Sequence, residues 1–406
     1  MAGRSSANRQ SRNATARRCG VVMGGAVGAF VAAAAMATGS AAPAKADFEE
    51  LLDPIIQPLL TSFTDSLSGF DPAAAVDITS WTDSLLSSLN SFDLVLPTAE
   101  SAAAVGAAAE PAAAAGTIPL TVLEGTEPAV YATIDGGSSS VPLLVDTGSA
   151  GLVVPLTDLG STSTQQLTNL FDLGFPTGIS ESGYSGGVDY IYLTYNDVPV
   201  DYAGGVTTDG PVDVEVYSWD PSNLGSLFSN DAFQSFLGDN KVDGILGIGD
   251  NASGPTTSPF ADYGGVLVDV PDGKLVLDST NPLDSYASTS GAPISTVLES
   301  VNGGTPVSVS DNIDSGGVFG TIPSSLVSGS SVPSGTVITV DNAAGQQLYT
   351  YTTTGNFDVG TGTGVSDAPT VVSGTSIDSG VIPYLDHPVY LDYANDTLYF
   401  DDIPPN

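Results

Sequence analysis

Several residue types are scarce in this 406-residue sequence, and each scarcity excludes a class of chemistry. The only cysteine is Cys19 and the only histidine is His387. One cysteine and one histidine exclude an internal disulfide and a metal site built on several thiolates or imidazoles. A catalytic triad would have to use His387 alone, and we interpret this lone histidine as structural. Carboxyl groups remain as the available catalytic chemistry.

Basic residues are also scarce, with eight lysines and arginines against 46 acids and a formal net charge of −38. Six of the eight lie in the first 46 residues, which contain no acid. The remainder of the chain has 46 acids against Lys241 and Lys274, a net charge of about −44. Such a chain cannot neutralise a phosphate backbone, so nucleic acid is excluded as a partner and strong binding to anionic membranes is disfavoured.

The first 46 residues have the pattern of an export signal. Five arginines precede an apolar run over residues 20–37, and Ala44-Lys45-Ala46 provides a small-residue cleavage site. We predict a signal peptide at 1–46 and a secreted or cell-envelope location. The apolar run is short for a membrane span, and an uncleaved anchor is the alternative. General export is favoured, with a twin-arginine signal at Arg17 and Arg18 as the second route.

Two further segments precede the main domain. Residues 47–100 carry apolar side chains at three- and four-residue spacing, interrupted by Pro54 and Pro58, which predicts short helices. This helical segment is either a helical pair packed on the main domain, or a removable pro-segment or partner-docking hairpin. Residues 101–117 are rich in alanine and proline and predict a linker.

From residue 118 onward the sequence predicts an all-β fold. Short runs rich in valine, tyrosine and threonine alternate with glycine, aspartate, asparagine and proline turns, at 130–134, 190–195, 212–217, 266–268 and 274–277. Helical periodicity is scarce, and 224–237 is the best candidate for a short helix. We predict two related lobes, at 118–265 and 266–406.

Two acidic loops with similar sequences indicate that the two predicted lobes are related to each other. Asp146 begins Asp-Thr-Gly-Ser after an apolar strand, and Asp314 begins Asp-Ser-Gly-Gly, with a proline nine positions after each acid. Two carboxyls held close together share one proton, so that one acts as general base on water while the other polarises a carbonyl. This chemistry suits amide hydrolysis and needs no cofactor and no metal.

Asp378 is a rival for the second acid, because it also begins an acid-hydroxyl-glycine triplet. Its proline follows after five positions instead of nine, so it does not repeat the first loop. It falls where the second-lobe counterpart of residues 245–247 is expected, which favours a structural role. We therefore predict Asp314, with Asp378 as the alternative.

These motifs together resemble the pepsin-like aspartic proteases. The first loop, the apolar-apolar-glycine segment at 245–247 about 100 residues later, the second loop and a closing hairpin at 388–400 extend the resemblance over most of 118–400. Within that family, this chain most resembles the mycobacterial proteases that process PE-domain proteins. It has a signal peptide and another helical segment where those proteins usually carry a PE module. The resemblance implies a bilobal fold with a cleft between the lobes.

The resemblance also implies roles for the site residues, in which Asp146 and Asp314 are catalytic. Thr147 and Ser315 would bond across the lobe junction, Gly148 and Gly316 would provide amide donors, and Ser149 would donate to Asp146. The position matching Ser149 is Gly317, which has no hydroxyl, so we expect Asp146 to be the more acidic member of the pair. Tyr184 and Gly186 would belong to a flap over the substrate, with Tyr190 and Tyr192 as rivals for the flap tyrosine.

The sequence therefore predicts an exported, monomeric aspartic endopeptidase whose partner is a polypeptide substrate, such as a PE-type or another exported protein. A non-catalytic cell-envelope module that keeps the fold is the alternative. A glycoside hydrolase using two of the acids is a third reading. Against it, only Trp81 and Trp219 are present for stacking on sugars.

Overall fold

The computed structural model describes residues 116–134, 139–184, 189–219, 231–239, 241–354 and 367–401. The predicted signal peptide, the helical segment 47–100, nearly all of the linker and Gly186 lie outside these ranges. In the described part of the chain, no helix combines the length and the hydropathy that a membrane span requires.

The described residues form an all-β structure, as predicted, with few and short helices. The strands are β1 (Gly116–Leu123), β2 (Glu127–Ile134), β3 (Val141–Asp146), β4 (Ala150–Pro155), β5 (Gly178–Gly183), β6 (Asp189–Tyr195), β7 (Val200–Tyr202), β8 (Thr207–Thr208), β9 (Val212–Trp219), β10 (Gly244–Ile248), β11 (Gly265–Asp269), β12 (Lys274–Leu277), β13 (Ser285–Ser290), β14 (Ile294–Val301), β15 (Val307–Asn312), β16 (Thr321–Pro323), β17 (Val337–Asn342), β18 (Gln347–Thr352), β19 (Thr370–Val372), β20 (Ser376–Asp378), β21 (Val389–Asp392) and β22 (Thr397–Asp401). The helices are α1 (Ser163–Asp172), α2 (Asp231–Asp239) and α3 (Ile382–Asp386), with 3-10 helices at Leu156–Leu159 and Ala261–Tyr263.

The strands of the first lobe surround the first acidic loop. β3 and β4 flank the loop, and β10 lies between them, parallel to β3 and antiparallel to β4. These three strands are buried almost throughout, which explains their continuous apolar runs instead of an alternating pattern. The loop therefore projects from the centre of the lobe, where its backbone is held on both sides.

The second lobe repeats this arrangement in shorter form. β15 leads into the second acidic loop and β16 leaves it, while β20 pairs parallel with β15 as β10 does with β3. β16 pairs parallel with β19 as β4 pairs parallel with β9. The predicted relation between two lobes is therefore visible in the strand pairing around each acid.

A shared sheet joins the lobes, with the strand order β13-β22-β21-β11-β12-β1. The first half of β1 pairs with β12 in this sheet, and its second half pairs with β2 in the first lobe. The sheet thus continues directly into the first-lobe strands. A separate five-stranded sheet, β18-β17-β14-β15-β20, forms the core of the second lobe.

Helices α1 and α3 were not predicted from the sequence. α1 begins after Thr162, whose side chain accepts a hydrogen bond from the Gln165 backbone N–H at 3.3 Å. Threonine followed by glutamine three residues later is a known start signal for helices, and it was present in the sequence. α2 overlaps the predicted helix at 224–237 over residues 231–237. The rest of the predicted range lies outside the described residues.

Candidate active site

The fold brings the two acidic loops face to face at the junction of the lobes. Asp146 ends β3, and Asp314 follows β15 by two residues. Both carboxyl groups are buried. The ion pairs between described residues all involve Lys274, with Asp269 and Asp272, so neither Asp146 nor Asp314 forms an ion pair with a described basic side chain.

Reciprocal hydrogen bonds lock the two loops together. The Thr147 backbone N–H donates to Ser315 Oγ at 3.1 Å, and the Ser315 backbone N–H donates to Thr147 Oγ1 at 2.8 Å. Each hydroxyl also donates into the opposite lobe, Thr147 Oγ1 to the Ile313 carbonyl at 2.8 Å and Ser315 Oγ to the Val145 carbonyl at 2.6 Å. Both residues are fully buried, so these bonds fix the relative position of the two acids.

The two carboxyl groups meet at one backbone donor. The Gly148 N–H donates to Oδ1 of Asp146 at 2.8 Å and to Oδ1 of Asp314 at 3.1 Å. Gly316 N–H donates to the same oxygen of Asp314 at 2.7 Å. A Cβ on Gly148 would overlap the Asp314 carboxyl, and one on Gly316 would lie 2.9 Å from Asp146 Oδ1. Only glycine at these two positions allows the carboxyls to approach each other.

The surroundings of the pair favour protonated carboxyls. Burial raises the pKa of Asp146 well above its ordinary value, and the charge of Asp314 raises it further. Burial likewise raises the pKa of Asp314, with the charge of Asp378 as the next cause. Ser149 Oγ donates to Asp146 Oδ2 at 2.6 Å and acts in the opposite direction, by stabilising the ionised form. The pair therefore holds a proton at pH values at which an exposed aspartate has lost it.

A third carboxyl lies beside the second loop, that of Asp378, for which the sequence favoured a structural role with a catalytic role as the alternative. Asp378, at the end of β20, is buried and lies in hydrogen-bonding contact with the carboxyl of Asp314. The side chain on the Gly317 side of Asp314 is therefore the carboxyl of Asp378, and the expectation that Asp146 is the more acidic member of the pair stays a prediction. Within the described residues, no group of three or more histidine, cysteine, aspartate or glutamate side chains is arranged to hold a metal ion.

Two further residues that the sequence did not single out support the second loop. Ser379 Oγ accepts a hydrogen bond from the Asp314 backbone N–H at 3.0 Å. The Tyr384 hydroxyl, on α3, donates to the Ile313 carbonyl at 2.8 Å and lies 2.9 Å from Thr147 Oγ1. Tyr384 follows Asp378 closely in sequence, but only the fold brings its hydroxyl to the lobe junction.

Tyr184 lies at the tip of a hairpin next to the acids. β5 and β6 pair antiparallel on either side of it, with Gly183 opposite Asp189. Its ring stacks on Phe236, with centroids 5.7 Å apart, and on Phe233 at 6.1 Å. Its hydroxyl is in hydrogen-bonding reach of Ser149, and burial followed by the charge of Asp146 raises its pKa.

The other candidate residues do not lie at the tip of the hairpin, although the ring centroid of Tyr190 is 6.2 Å from that of Tyr184. Tyr190 and Tyr192, the rivals for the flap tyrosine, are buried in the core of the first lobe. His387 lies at the end of α3, with its ring 5.5 Å from that of Tyr286. Gly186 lies outside the described residues, so its place in the flap stays a prediction.

A family model described as the PE-PGRS C-terminal aspartyl peptidase-like domain matches residues 116–398. Two relatives called PE cleavage protein A, from Mycobacterium tuberculosis strains CDC 1551 / Oshkosh and ATCC 25618 / H37Rv, are each 38% identical over 297 residues. A protein of the same name from Mycobacterium marinum is 42% identical over 296 residues. Each alignment covers 68% of this chain and 50% of the relative, so the chain spans about half the length of these relatives.

Among solved structures, an aspartic proteinase from Irpex lacteus is similar, with a TM-score of 0.48 and 17% sequence identity. The match covers 72% of this chain and 98% of that protein.

Proposed function

Because the chain belongs to the PE-PGRS C-terminal aspartyl peptidase-like family, we propose that it is an aspartic endopeptidase with Asp146 and Asp314 as its catalytic pair. The observation that carries this proposal is the Gly148 N–H, which donates to Oδ1 of both acids. One donor can reach both oxygens only if the two carboxyls face each other. That arrangement is what a shared proton and a water held between two acids require.

In the proposed mechanism the pair carries one proton and holds the attacking water. The ionised carboxyl removes a proton from the water, the water oxygen bonds to the peptide carbonyl carbon, and the protonated carboxyl donates to the carbonyl oxygen. Collapse of this intermediate breaks the C–N bond as the amide nitrogen takes a proton from one carboxyl and a hydroxyl of the intermediate gives a proton to the other, which restores the pair with one proton. The reaction needs no covalent enzyme intermediate, and the bonds of Thr147 and Ser315 keep both acids in place throughout.

We further propose that Tyr184 and the hairpin around it form the flap over the bound peptide. Stacking on Phe233 and Phe236 supports this, because it fixes the ring beside Ser149 and Asp146. An extended peptide in the cleft would pair with backbone groups and place its side chains in apolar pockets. In this role the hairpin would also exclude bulk water from the pair.

For the substrate, we propose an exported protein of the PE type. The relatives are named PE cleavage protein A, which supports this substrate class. The predicted signal peptide places the activity outside the cytoplasm, in the cell envelope or in secreted form. The large negative charge of the chain suits a protein that stays soluble there as a monomer.

Cleavage by active-site variants tests the catalytic pair. We expect the full-length protein to cleave casein or a PE-type substrate, pepstatin to inhibit it, and Asp146→Asn and Asp314→Asn each to lower kcat at least about 1000-fold. Asp392→Asn is the matched control, since this buried aspartate bonds to Asn395 in the shared sheet and is not near the pair. It should retain wild-type kcat.

Two outcomes would contradict the proposal. Undiminished cleavage by Asp146→Asn or by Asp314→Asn excludes that residue from the mechanism. Cleavage that survives Asp314→Asn but not Asp378→Asn would make Asp378 the second catalytic acid.

A further inference from the structure

The two acidic loops differ at the third position after the acid, and in the second loop a side chain from elsewhere in the chain occupies the space at that position. Three residues after Asp146 stands Ser149, whose hydroxyl donates to Asp146 Oδ2 at 2.6 Å. Three residues after Asp314 stands Gly317, which has no side chain to do the same. The carboxyl group of Asp378 occupies the volume that a side chain at 317 would enter, because a Cβ there would overlap Asp378 Oδ1.

The pairing of β20 with β15 brings Asp378 to this place. Asp378 lies opposite Asn312, two residues before Asp314, in a parallel register. Its backbone N–H donates to Thr321 Oγ1 at 2.9 Å, and its Oδ1 accepts from the Gly380 N–H at 2.8 Å. The first bond holds the backbone of Asp378 and the second holds its carboxyl, whose Oδ2 is buried and accepts no hydrogen bond from the described residues. The group it contacts is the carboxyl of Asp314.

We propose that Asp378 is a positioning residue that replaces the hydroxyl missing at Gly317 and holds the carboxyl of Asp314 by a shared proton. This inference rests on the proposed function, since it assigns Asp314 to the catalytic pair. Asp378 acts through Asp314 and touches neither water nor substrate. It differs from a serine hydroxyl in one respect, which is that its proton can dissociate.

The proton count of the site follows from this arrangement. Two buried carboxyls attract each other only when a proton lies between them, because two carboxylates repel. Three carboxyls in a row, Asp146, Asp314 and Asp378, therefore need two protons, one for each contact. The active form then carries a single negative charge, as a pair with one proton does.

The second proton makes activity sensitive to pH near neutrality. Burial raises the pKa of Asp378 from 3.8 to about 7, and the charges of Asp311 and Asp146, the other acids facing it, act in the same direction. When this proton is lost, a second charge arises beside Asp314 and the contact becomes repulsive. Activity should therefore decline as the pH rises through about 7.

One experiment tests the replacement by exchanging the two partners. Asp378→Ala should lower kcat at least tenfold with KM changed less than twofold, because the bound peptide does not touch Asp378. Gly317→Ser alone should also lower kcat at least tenfold, because its Cβ overlaps the Asp378 carboxyl. The double variant has a serine at the position matching Ser149 and space for its hydroxyl, and should recover at least a third of wild-type kcat.

The double variant also separates the proposal from a packing effect. A double variant that is folded, by circular dichroism and thermal unfolding, but no more active than the weaker single variant overturns the proposal. Wild-type kcat in Asp378→Ala overturns it as well. Glu299→Gln is the matched control for loss of a buried carboxyl in the same lobe, and it should keep wild-type kcat.

A pH profile provides a readout that packing alone does not move. Asp378→Asn keeps the shape, an acceptor for Gly380 and a donor for Asp314, but it cannot ionise. Its kcat at pH 5 should stay within threefold of wild type, while the alkaline limb of the kcat profile moves up by at least half a pH unit. An unchanged alkaline limb overturns the shared proton.

Failure of the proposed function would look different. If the wild-type protein cleaves nothing, or if Asp146→Asn remains active, the catalytic pair is wrong. The Asp314–Asp378 contact is then still tested by carboxyl-carbon NMR of labelled aspartates across the pH range. An Asp314 resonance whose titration is the same in the wild type and in Asp378→Asn overturns the contact without any activity measurement.

Discussion

The hydroxyl of Ser149 determines how readily Asp146 carries a negative charge. It donates to Asp146 Oδ2 at 2.6 Å, and the other oxygen accepts from the Gly148 N–H. A hydrogen bond to a buried carboxylate contributes about 1.5–3 kcal/mol, more than a bond between neutral groups. Ser149 therefore offsets part of the burial that raises the pKa of Asp146.

Replacing Ser149 by alanine should shift the acid limb of the activity profile. Without the donor the ionised form of Asp146 is less stable, so the lower pKa of the pair rises, by about one unit for about 1.4 kcal/mol. We expect the acid limb of kcat/KM in Ser149→Ala to lie about one pH unit higher than in wild type. The measurement is kcat/KM against a peptide substrate between pH 2 and pH 7.

Ser295→Ala is the matched control for Ser149→Ala. This buried serine donates to the Gly291 carbonyl at 3.0 Å and has no contact with the acids. Its acid limb should coincide with that of wild type. An acid limb in Ser149→Ala that also coincides with wild type would mean that the hydroxyl does not stabilise the charge of Asp146.

The sequence predicted the contacts of those site residues that interact within their own loop. Asp146, Ser149 and the glycine between them act within four residues, so a local motif predicts their contacts. Asp378 and Tyr384 act on the second loop from distant positions in the chain. Their contacts depend on the register of β20 with β15 and on the placement of α3, neither of which a local motif records.

The hairpin of β5 and β6 is the element proposed as the flap. Its tip residue Tyr184 packs on two aromatic rings of α2, Phe233 and Phe236. Two aromatic contacts of this kind contribute about 1–3 kcal/mol beyond burial. The contact holds Tyr184 against α2.

Tyr184→Ala should impair closure of the hairpin over the substrate. Without the ring the hairpin loses its contact with α2, and we expect kcat/KM to fall at least about tenfold. Tyr184→Phe keeps the ring stacking and loses only the hydroxyl near Ser149, so it should fall less than about fivefold. Steady-state cleavage of a peptide measures both.

Tyr131→Ala is the control for the loss of a tyrosine ring from a strand of the same lobe. Tyr131 is exposed on β2 and should be replaced without effect on kcat/KM. Equal kcat/KM values for Tyr184→Ala and wild type would argue against a role of this residue in the flap.

How well each strand or helix could be predicted from the sequence depends on how it packs in the fold. β3, β4 and β10 are buried on both faces, and their apolar runs were readable as strands. Helix α1 is half-exposed and polar, so its apolar periodicity is weak, and only its Thr162 cap marks it. The order of the strands in the sheets was not readable, because it depends on pairing between residues far apart in the chain.

Among the described residues, buried or partly buried acids without a basic partner extend well beyond the active site. Glu299 and Asp311 lie together in the second-lobe sheet, and burial raises their pKa to about 9 and about 7. Burial also raises the pKa of Glu127 to about 7 and that of Asp158 to about 8. With so few lysines and arginines, the protein can bury these carboxyls only in their neutral form.

The direction of the pH dependence of stability follows from these shifts. A carboxyl with a raised pKa keeps its proton in the folded state at a pH where the unfolded chain has released it. Its contribution to the free energy of unfolding is complete below about pH 4.5, the unfolded value for a glutamate, and is lost as the pH rises towards about 9 for Glu299. Repulsion among the many acids acts in the same direction.

We therefore expect the free energy of unfolding to fall by at least about 3 kcal/mol between pH 5 and pH 8, since one pKa unit corresponds to about 1.4 kcal/mol. Urea denaturation at a series of pH values measures this free energy.

Glu299→Gln removes one ionisable group. It should make the decline smaller by about 2 kcal/mol, so that the variant is more stable than wild type at pH 8. The exposed Glu124→Gln is the control and should follow the wild-type curve. A wild-type stability that is flat or rises from pH 5 to pH 8 would mean that these acids are ionised in the folded protein, and that the fold tolerates their charge by contacts with water.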